Sequence, residues 1–185
     1  SLETILKKTI KKFGFVTVKD FMSIILHHEY LGYYRKKNIV GKKGDFTTSP
    51  EISQVFGEII TNVFLLNSKL FEYRKNISFT ELGPGRGFLA KDIIRTLKKL
   101  NSSLYKNIEN IYFLEKSEIF YDDLRSLHNS VKIVDNLGEI PNYYNLIVAN
   151  EFFDALPVNL YTYKKKSWYK ILITLDKKGN FAFKL

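Results

Sequence analysis

The sequence predicts an α/β fold, with a parallel sheet between a helical N-terminal region and an antiparallel C-terminal region. From about residue 77, short apolar runs alternate with helical patterns, which is typical of parallel strands joined by helical crossovers. After Pro157 the runs alternate apolar and polar residues between lysine-rich turns, which indicates antiparallel strands. We therefore divide the chain into a helical subdomain (1–75), a parallel half-domain (76–157) and an antiparallel meander (158–185).

Two short helices are predicted at the N-terminus. Residues 2–13 place apolar side chains on one face at helical spacing, and the pattern ends at Gly14. A second helix begins at Thr17, where Asp20 stands three residues later as in a capping box, and continues to about residue 28. Both helices are amphipathic, so each is expected to bury one face.

A third helix is predicted to begin at Ser49 and Pro50, which occupy its N-cap and first position. Its apolar side chains recur at helical spacing, and we expect them to be buried: Ile52, Val55, Phe56, Ile59, Ile60 and Val63. The first 75 residues thus form a helical subdomain that contains one polar loop.

Four parallel strands and two helices are predicted next. The strands are residues 78–82, 111–115, 131–134 and 145–149, and the helices are residues 88–100 and 118–127. Right-handed crossovers place the carboxyl ends of all four strands at one edge of the sheet, where such sheets bind ligands. The meander that follows is predicted to comprise strands 158–163, 168–175 and 181–185.

Composition limits the available chemistry. The chain has 185 residues, of which 45% are hydrophobic and 26% charged, as in a globular domain. It has no cysteine and three histidines, so disulfides and cysteine nucleophiles are excluded and no metal site is expected. We expect His27 and His28 to be surface or packing residues.

No apolar run reaches the length of a membrane span, and lysines stand where a secretory signal would be apolar. These patterns predict a cytoplasmic or matrix-like location.

The formal net charge of +10 raises the alternative of a nucleic-acid-binding protein. The lysines, however, are scattered as doublets and one triplet, and arginine, the usual reader of bases and phosphates, is scarce. A solvated lysine surface explains the charge equally well. A nucleic-acid partner is therefore the less favoured alternative.

The first predicted strand runs into a glycine loop, residues 81–87. Gly83, Gly85 and Gly87 permit positive φ and let a ligand approach bare backbone on either side of Pro84. Their spacing is neither the dinucleotide motif G-x-G-x-x-G nor a P-loop, so no phosphate is implied. The pattern predicts a cofactor cradle, although a tight turn without a ligand would also use glycines.

Two acids accompany the loop. S-adenosylmethionine carries an ammonium, a sulfonium and a ribose diol, so its site requires one carboxylate near the ammonium and another at the ribose. Glu81 ends the first strand and Glu115 the second, where nucleotide-binding folds place an acid. Acids are common at strand ends, and Asp135, which follows the third strand, is better explained as a surface residue.

The fourth strand is followed by a polar segment, residues 150–157. Methylation of a nitrogen requires groups that reduce its positive charge, and carboxylate and amide oxygens do so. Asn150, Glu151 and Asp154 are the candidate catalytic residues. Alternatively, Asp154 caps a turn and the phenylalanines beside it belong to the core.

Three segments in order, residues 44–51, 81–87 and 150–157, resemble the MidA-like family of mitochondrial and bacterial methyltransferases. The resemblance implies a Rossmann-like class I methyltransferase sheet with S-adenosylmethionine as cofactor. In that family the mitochondrial representative is an assembly factor that methylates an arginine on a subunit of respiratory complex I. The resemblance further implies that Glu151 and Asp154 hold a guanidinium. It also implies a polar lid over the cofactor, formed by Asp45, Thr47, Thr48 and Ser49.

Members of that family are much longer than this chain, and their later strands complete the sheet. The strand at 145–149 would then keep an open edge, which favours pairing with another strand. We expect a separate C-terminal half, a homodimer formed through that edge, or a remnant with weakened catalysis. Three functions follow: a protein methyltransferase, a cofactor-binding or scaffold protein, and a nucleic-acid binder.

Overall fold

A computed structural model describes residues 1–35, 48–67, 77–141 and 144–185. The chain forms two compact units. The terminal unit consists of Ser1–Lys37 and Phe153–Leu185, and the central unit is Asn38–Phe152. Asp45 and Thr47, two residues of the predicted lid, lie outside the described residues.

Short helices and strands make up both units. The helices are α1 (Leu2–Phe13), α2 (Val18–His27), α3 (Ser49–Ile52), α4 (Gln54–Leu66), α5 (Phe88–Leu100), α6 (Ser102–Asn107) and α7 (Tyr121–Arg125). The strands are β1 (Val16–Thr17), β2 (Ile77–Leu82), β3 (Ile108–Leu114), β4 (Val131–Val134), β5 (Asn145–Val148), β6 (Tyr161–Lys164), β7 (Ser167–Lys170), β8 (Leu172–Leu175) and β9 (Phe181–Lys184).

The terminal unit packs α1 and α2 against an antiparallel sheet with the order β1-β8-β9. Gly14, with φ of 84°, ends α1 in the left-handed conformation, as the sequence predicted. Thr17 caps α2, because its hydroxyl oxygen accepts a hydrogen bond of 3.0 Å from the Asp20 N–H. The core is made of Leu6, Ile10, Val16, Val18 and Ile173.

The prediction of one three-stranded meander after residue 157 was wrong. The middle strand, predicted at 168–175, is two strands that belong to different sheets: β7 pairs with β6, and β8 pairs with β1 and β9. The change occurs at Ile171, whose N–H donates to the Leu160 carbonyl at 2.9 Å. Strand β1, the partner of β8, has only two residues, so no periodic pattern in the sequence could predict it.

The central unit contains a parallel sheet with the order β4-β3-β2-β5. The predicted α/β class with a parallel sheet is confirmed. All six residues of β2 are buried. One face of the sheet packs against α5, and the largest buried side chains of this core include Phe79, Ile93, Leu97, Ile111 and Phe113.

The prediction of a third continuous helix that buries six apolar residues was also wrong. The chain breaks at the extended residue Ser53 and forms α3 and α4. Four of the six side chains are exposed rather than buried: Ile52 (72%), Val55 (50%), Ile59 (56%) and Val63 (49%). The packed side is fixed by Gly57, where a Cβ would lie 2.6 Å from Asp92 Cβ. Because α4 is apolar around most of its circumference, periodicity could not identify that side.

The second predicted crossover helix, residues 118–127, is shorter than expected. It consists of a 3-10 turn, Glu118–Phe120, followed by α7. Across the part of the chain that the structure describes, no helix is long and apolar enough to cross a bilayer.

Candidate functional site

The glycine loop follows β2 and leads into α5. Gly83, Gly85 and Gly87 have φ of 67°, 53° and 75°, the left-handed region that L side chains rarely adopt. The Gly83 N–H donates to the Leu114 carbonyl at 3.0 Å, and the Gly87 N–H donates to the Pro84 carbonyl at 2.9 Å. The loop is therefore hydrogen-bonded both to the end of β3 and within itself.

The three glycines have different surroundings. A Cβ on Gly83 would lie 2.7 Å from a ring carbon of Phe152, and a Cβ on Gly87 would lie 2.8 Å from both Leu124 and Leu127. A Cβ on Gly85 would meet no atom of the described residues within 4 Å. Close packing thus requires Gly83 and Gly87, whereas Gly85 presents bare backbone to open space.

Glu115 lies directly beside that open backbone. Its Oε2 accepts a hydrogen bond from the Gly85 N–H at 3.2 Å, and its Oε1 accepts one from the Ser117 N–H at 2.8 Å. Burial raises the pKa of this carboxyl, and the N–H groups of Ser117, Gly85 and Lys116 oppose the rise. Two residues that the sequence assigned to one site are therefore in contact.

Glu81 is the most deeply buried acid of the loop, with 3% of its surface exposed. Burial raises its pKa to about 8, the Ala90 N–H lowers it by hydrogen bonding, and the charge of Glu115 raises it further. Its Oε2 has no hydrogen-bond partner among the described residues. An orphaned carboxyl oxygen in the interior is costly and is suited to a cationic partner.

These features fit the cofactor that the sequence predicted. Bare backbone at Gly85 permits close approach, the Glu115 carboxylate keeps free lone pairs for hydroxyl donors, and the orphaned Glu81 oxygen can accept from an ammonium. Two neighbouring carboxyls with raised pKa values favour a cation over a phosphate.

The segment after β5 reaches the glycine loop through Phe152, whose ring packs on Gly83. Asn150 is half-buried and Glu151 is exposed. Glu151 has φ of 48°, a left-handed conformation that is uncommon for a residue other than glycine. The end of β5 and the end of β2 are thus adjacent, as the sheet topology requires.

Asp154, the third predicted catalytic residue, belongs to the terminal unit. It lies exposed in a 3-10 turn, Phe153–Ala155. Burial and the Asp154 charge together raise the pKa of Tyr34. The ring of Tyr34 stacks on His27 at 5.6 Å, and His27 Nε2 lies 3.1 Å from the Ala155 carbonyl oxygen. This cluster positions the turn that carries Asp154.

The two described lid residues, Thr48 and Ser49, lie at the start of α3. Thr48, and not Ser49 as the sequence suggested, is the N-cap, and Ser49 is the first helical residue. The Thr48 N–H donates to Glu51 Oε2 at 3.4 Å, and the Glu51 N–H donates to the Thr48 carbonyl at 2.9 Å. Helix α3 packs against α5, which begins at the glycine loop. The lid itself stays a prediction.

Phe152 and His27 were not predicted to belong to any functional arrangement. A signal existed for Phe152, since it directly follows the polar residues at the end of β5. For His27 the helical pattern of residues 17–28 indicated only the polar end of α2. Its contact with residue 155 joins distant parts of the chain, so no local pattern could predict it.

Comparisons with known proteins identify relatives. A family model of S-adenosyl-L-methionine-dependent methyltransferases matches residues 59–185. The protein arginine methyltransferase NDUFAF7 of mouse mitochondria is 32% identical over 90% of this chain and 44% of its own length. The human protein is also 32% identical, over 90% of this chain and 43% of its own. The Drosophila melanogaster homologue is 31% identical over 94% of this chain and 44% of its own. This chain thus spans less than half the length of these relatives.

Solved structures show the same fold. A Burkholderia thailandensis protein crystallised with S-adenosyl-homocysteine matches with a TM-score of 0.75 at 23% identity, over 99% of this chain and 49% of that one. A second, native crystal structure from the same organism matches with a TM-score of 0.74 at 23% identity, over 99% of this chain and 47% of that one.

Proposed function

Because this chain belongs to the family of S-adenosyl-L-methionine-dependent methyltransferases, we propose that it transfers a methyl group to a protein nitrogen, on the guanidinium of an arginine. The cofactor is S-adenosylmethionine, as the sequence predicted. Because this chain covers only 44% of its mouse relative, methyl transfer by this chain and the identity of the acceptor are both proposals.

One observation carries the proposal: the hydrogen bond between the Gly85 N–H and Glu115, at a glycine whose α-carbon faces open space. This places unobstructed backbone and a carboxylate side by side at the carboxyl ends of β2 and β3. Ligands of parallel sheets bind at that edge. In the proposed site Glu115 accepts hydrogen bonds from the ribose hydroxyls of the cofactor. The wall of the site that faces the cofactor is formed by Gly83, Pro84, Gly85 and Gly87.

When bound, S-adenosylmethionine supplies an electrophilic methyl group. The other tasks fall to side chains of this chain. Glu81 would hold the ammonium of the bound cofactor through its orphaned oxygen. Asn150 and Glu151, which follow β5, would orient the guanidinium, and a carboxylate there can accept the proton that the methylated nitrogen loses. A role for Asp154 in holding the guanidinium is proposed from the family resemblance alone.

The finer substrate assignment rests on relatives. The mouse and human relatives are named as mitochondrial protein arginine methyltransferases. We propose a respiratory complex subunit as the acceptor protein, in the mitochondrial matrix or, for a bacterial chain, the cytoplasm. Thr48 and Ser49, with Asp45 and Thr47 outside the described residues, would form the polar lid over the cofactor.

A second polypeptide is proposed at the edge of the parallel sheet. Among the described residues β5 pairs with β2 alone, and Ile147 on β5 is 56% exposed. An apolar edge strand favours further pairing. The partner would be a separate C-terminal half or a second copy of this chain. Light scattering that shows a clean monomer at all concentrations, with no change when that half is added, would exclude this pairing.

Calorimetric titration with S-adenosylmethionine tests cofactor binding. Gly85→Val should abolish binding, because its side chain would occupy the open approach. Gly14→Val is the matched control, since Gly14 also has positive φ (84°) and open space around its Cβ but lies at the end of α1. Equal binding by both variants would contradict the site.

A radiolabelled methyl-transfer assay then tests the activity. Arginine-containing subunit proteins serve as acceptors, with and without the separate C-terminal half. Transfer that is lost in Glu151→Gln while cofactor affinity is unchanged supports the proposal. Cofactor binding without transfer to any acceptor, under both conditions, would instead indicate a cofactor-binding or scaffold protein.

A further inference from the structure

Strands β6 and β7 form a two-stranded hairpin with an unusual face. In their register Tyr163 stands opposite Trp168 and Tyr161 stands opposite Lys170. Alternate residues of a strand point to the same side, so these four side chains share one face of the hairpin. We call it the aromatic face.

The rings of the aromatic face are open to solvent. Tyr161 is 55% exposed, Tyr163 is 60% exposed and Trp168 is 70% exposed. The Tyr163 and Trp168 rings lie 5.3 Å apart, and the Lys170 ammonium lies 5.9 Å from the centre of the Tyr161 ring. Exposed clusters of large rings mark binding surfaces more often than isolated apolar residues do.

The charged residues of the hairpin that carries the aromatic face are all basic. Lys164, Lys165 and Lys166 lie at the tip of the hairpin, where Lys165 and Lys166 adopt positive φ. Together with Lys170 they are the charged residues of the stretch from 155 to 175, which contains no acid. Charge complementarity therefore selects an anionic partner, and the rings select one with flat surfaces of its own.

We propose that the aromatic face binds single-stranded nucleic acid without sequence preference, with bases stacked on Tyr161, Tyr163 and Trp168 and phosphates beside the lysines. Sheets that bind single strands combine two or three stacking rings with a basic groove. Scarcity of arginine argued against a base-reading protein, but stacking requires no base reading. The proposal is independent of methyl transfer.

Two other anionic partners fit the hairpin less well. An anionic membrane would need apolar residues at the tip, but residues 164–167 are three lysines and a serine. An acidic protein surface is disfavoured because lysine is depleted from the centres of protein interfaces. The membrane surface remains an outcome of the experiment.

Trp168 is the only tryptophan of the chain, so its fluorescence reports on the aromatic face alone. Titration with oligo(dT) and oligo(U) at low salt should quench its emission, because bases stack on the indole. The affinity should fall with salt, with a slope of about 0.7 per phosphate contacted. Unchanged emission at low salt overturns the proposal. A blue shift on phosphatidylserine vesicles without quenching by oligonucleotides also overturns it, in favour of a membrane surface.

Variants separate stacking from charge, with a labelled oligonucleotide as the probe. Tyr163→Ala should weaken binding about 5- to 150-fold, whereas Tyr163→Phe, which keeps a stacking ring, should change it little. The double variant Lys165→Gln/Lys166→Gln should reduce the salt slope by about 1.4. Its matched control is Lys177→Gln/Lys178→Gln, an exposed pair near the turn between β8 and β9. Equal losses in the two lysine pairs, or full binding by Tyr163→Ala, overturn the proposal.

Discussion

Replacement of Glu81 by glutamine should make the protein less sensitive to alkaline pH. Glu81 is 3% exposed and the pKa of its carboxyl is raised to about 8, whereas the ordinary value is 4.5. Between these pH values the folded chain keeps a proton that the unfolded chain has released. Rising pH therefore favours the unfolded chain, and stability falls across this window. Glutamine resembles the protonated acid in shape and cannot ionise.

The separation between about 8 and 4.5 sets the size of the effect. Each pKa unit corresponds to about 1.4 kcal/mol, so ionisation of Glu81 lowers the free energy of unfolding by at most about 5 kcal/mol. The loss begins above pH 4.5 and is complete above about pH 8. Near about pH 5 the Glu81→Gln variant should match the wild type, and near about pH 9 it should be more stable by several kcal/mol.

Urea unfolding followed by far-UV circular dichroism, repeated at several pH values, measures this difference. The control is Glu109→Gln, which removes an exposed carboxyl from the adjacent strand β3. Its stability difference from the wild type should stay constant with pH. The reasoning about Glu81 is refuted if its own difference is equally constant, because the buried carboxyl would then be charged in the folded chain throughout.

Three further substitutions test the packing and hydrogen bonds around the site. Glu115→Gln places an amide NH₂ against one of two backbone N–H donors, so it should lower the free energy of unfolding in urea by about 1–3 kcal/mol. It should also weaken cofactor binding, and unaltered affinity would contradict the role of Glu115. Gly87→Ala should lower the melting temperature more than Gly85→Ala, because only the former meets side chains at 2.8 Å; equal shifts would show that backbone strain alone decides. Thr17→Ala should cost about 1 kcal/mol through loss of the α2 cap, measured by thermal unfolding; an unshifted transition would mean that the cap contributes nothing.

The sequence predicted the parts of the fold whose signals are local. Helix α5 was predicted with its observed bounds, since an apolar stripe follows the glycine loop directly. The four parallel strands were located to within a few residues, because each is an apolar run between turn residues. The meeting of Gly85 and Glu115 followed from topology, which brings the ends of parallel strands to one edge.

What the sequence could not predict depends on partners that are distant along the chain. The face of α4 that packs is decided by Gly57 and Asp92, which are 35 positions apart, and the helix is apolar on several sides. The division of the predicted meander depends on β1, which is too short to show a period. The contact of His27 with residue 155 likewise joins the two ends of the terminal unit. Periodicity reports which residues share a face and is silent about what covers it.

The glycine loop shows why a shared motif can have several physical causes. A side chain at Gly83 would clash with Phe152, and one at Gly87 would clash with two leucines. Packing within the protein therefore requires glycine at both positions. The hydrogen bond from Gly85 to Glu115 then fixes the middle of the loop. The loop backbone is therefore already ordered in the folded protein. A ligand that binds at Gly85 does not have to supply the free energy for that ordering. It follows that substitutions at Gly83 and Gly87 should weaken ligand binding by loosening the loop, whereas substitution at Gly85 should block the approach itself.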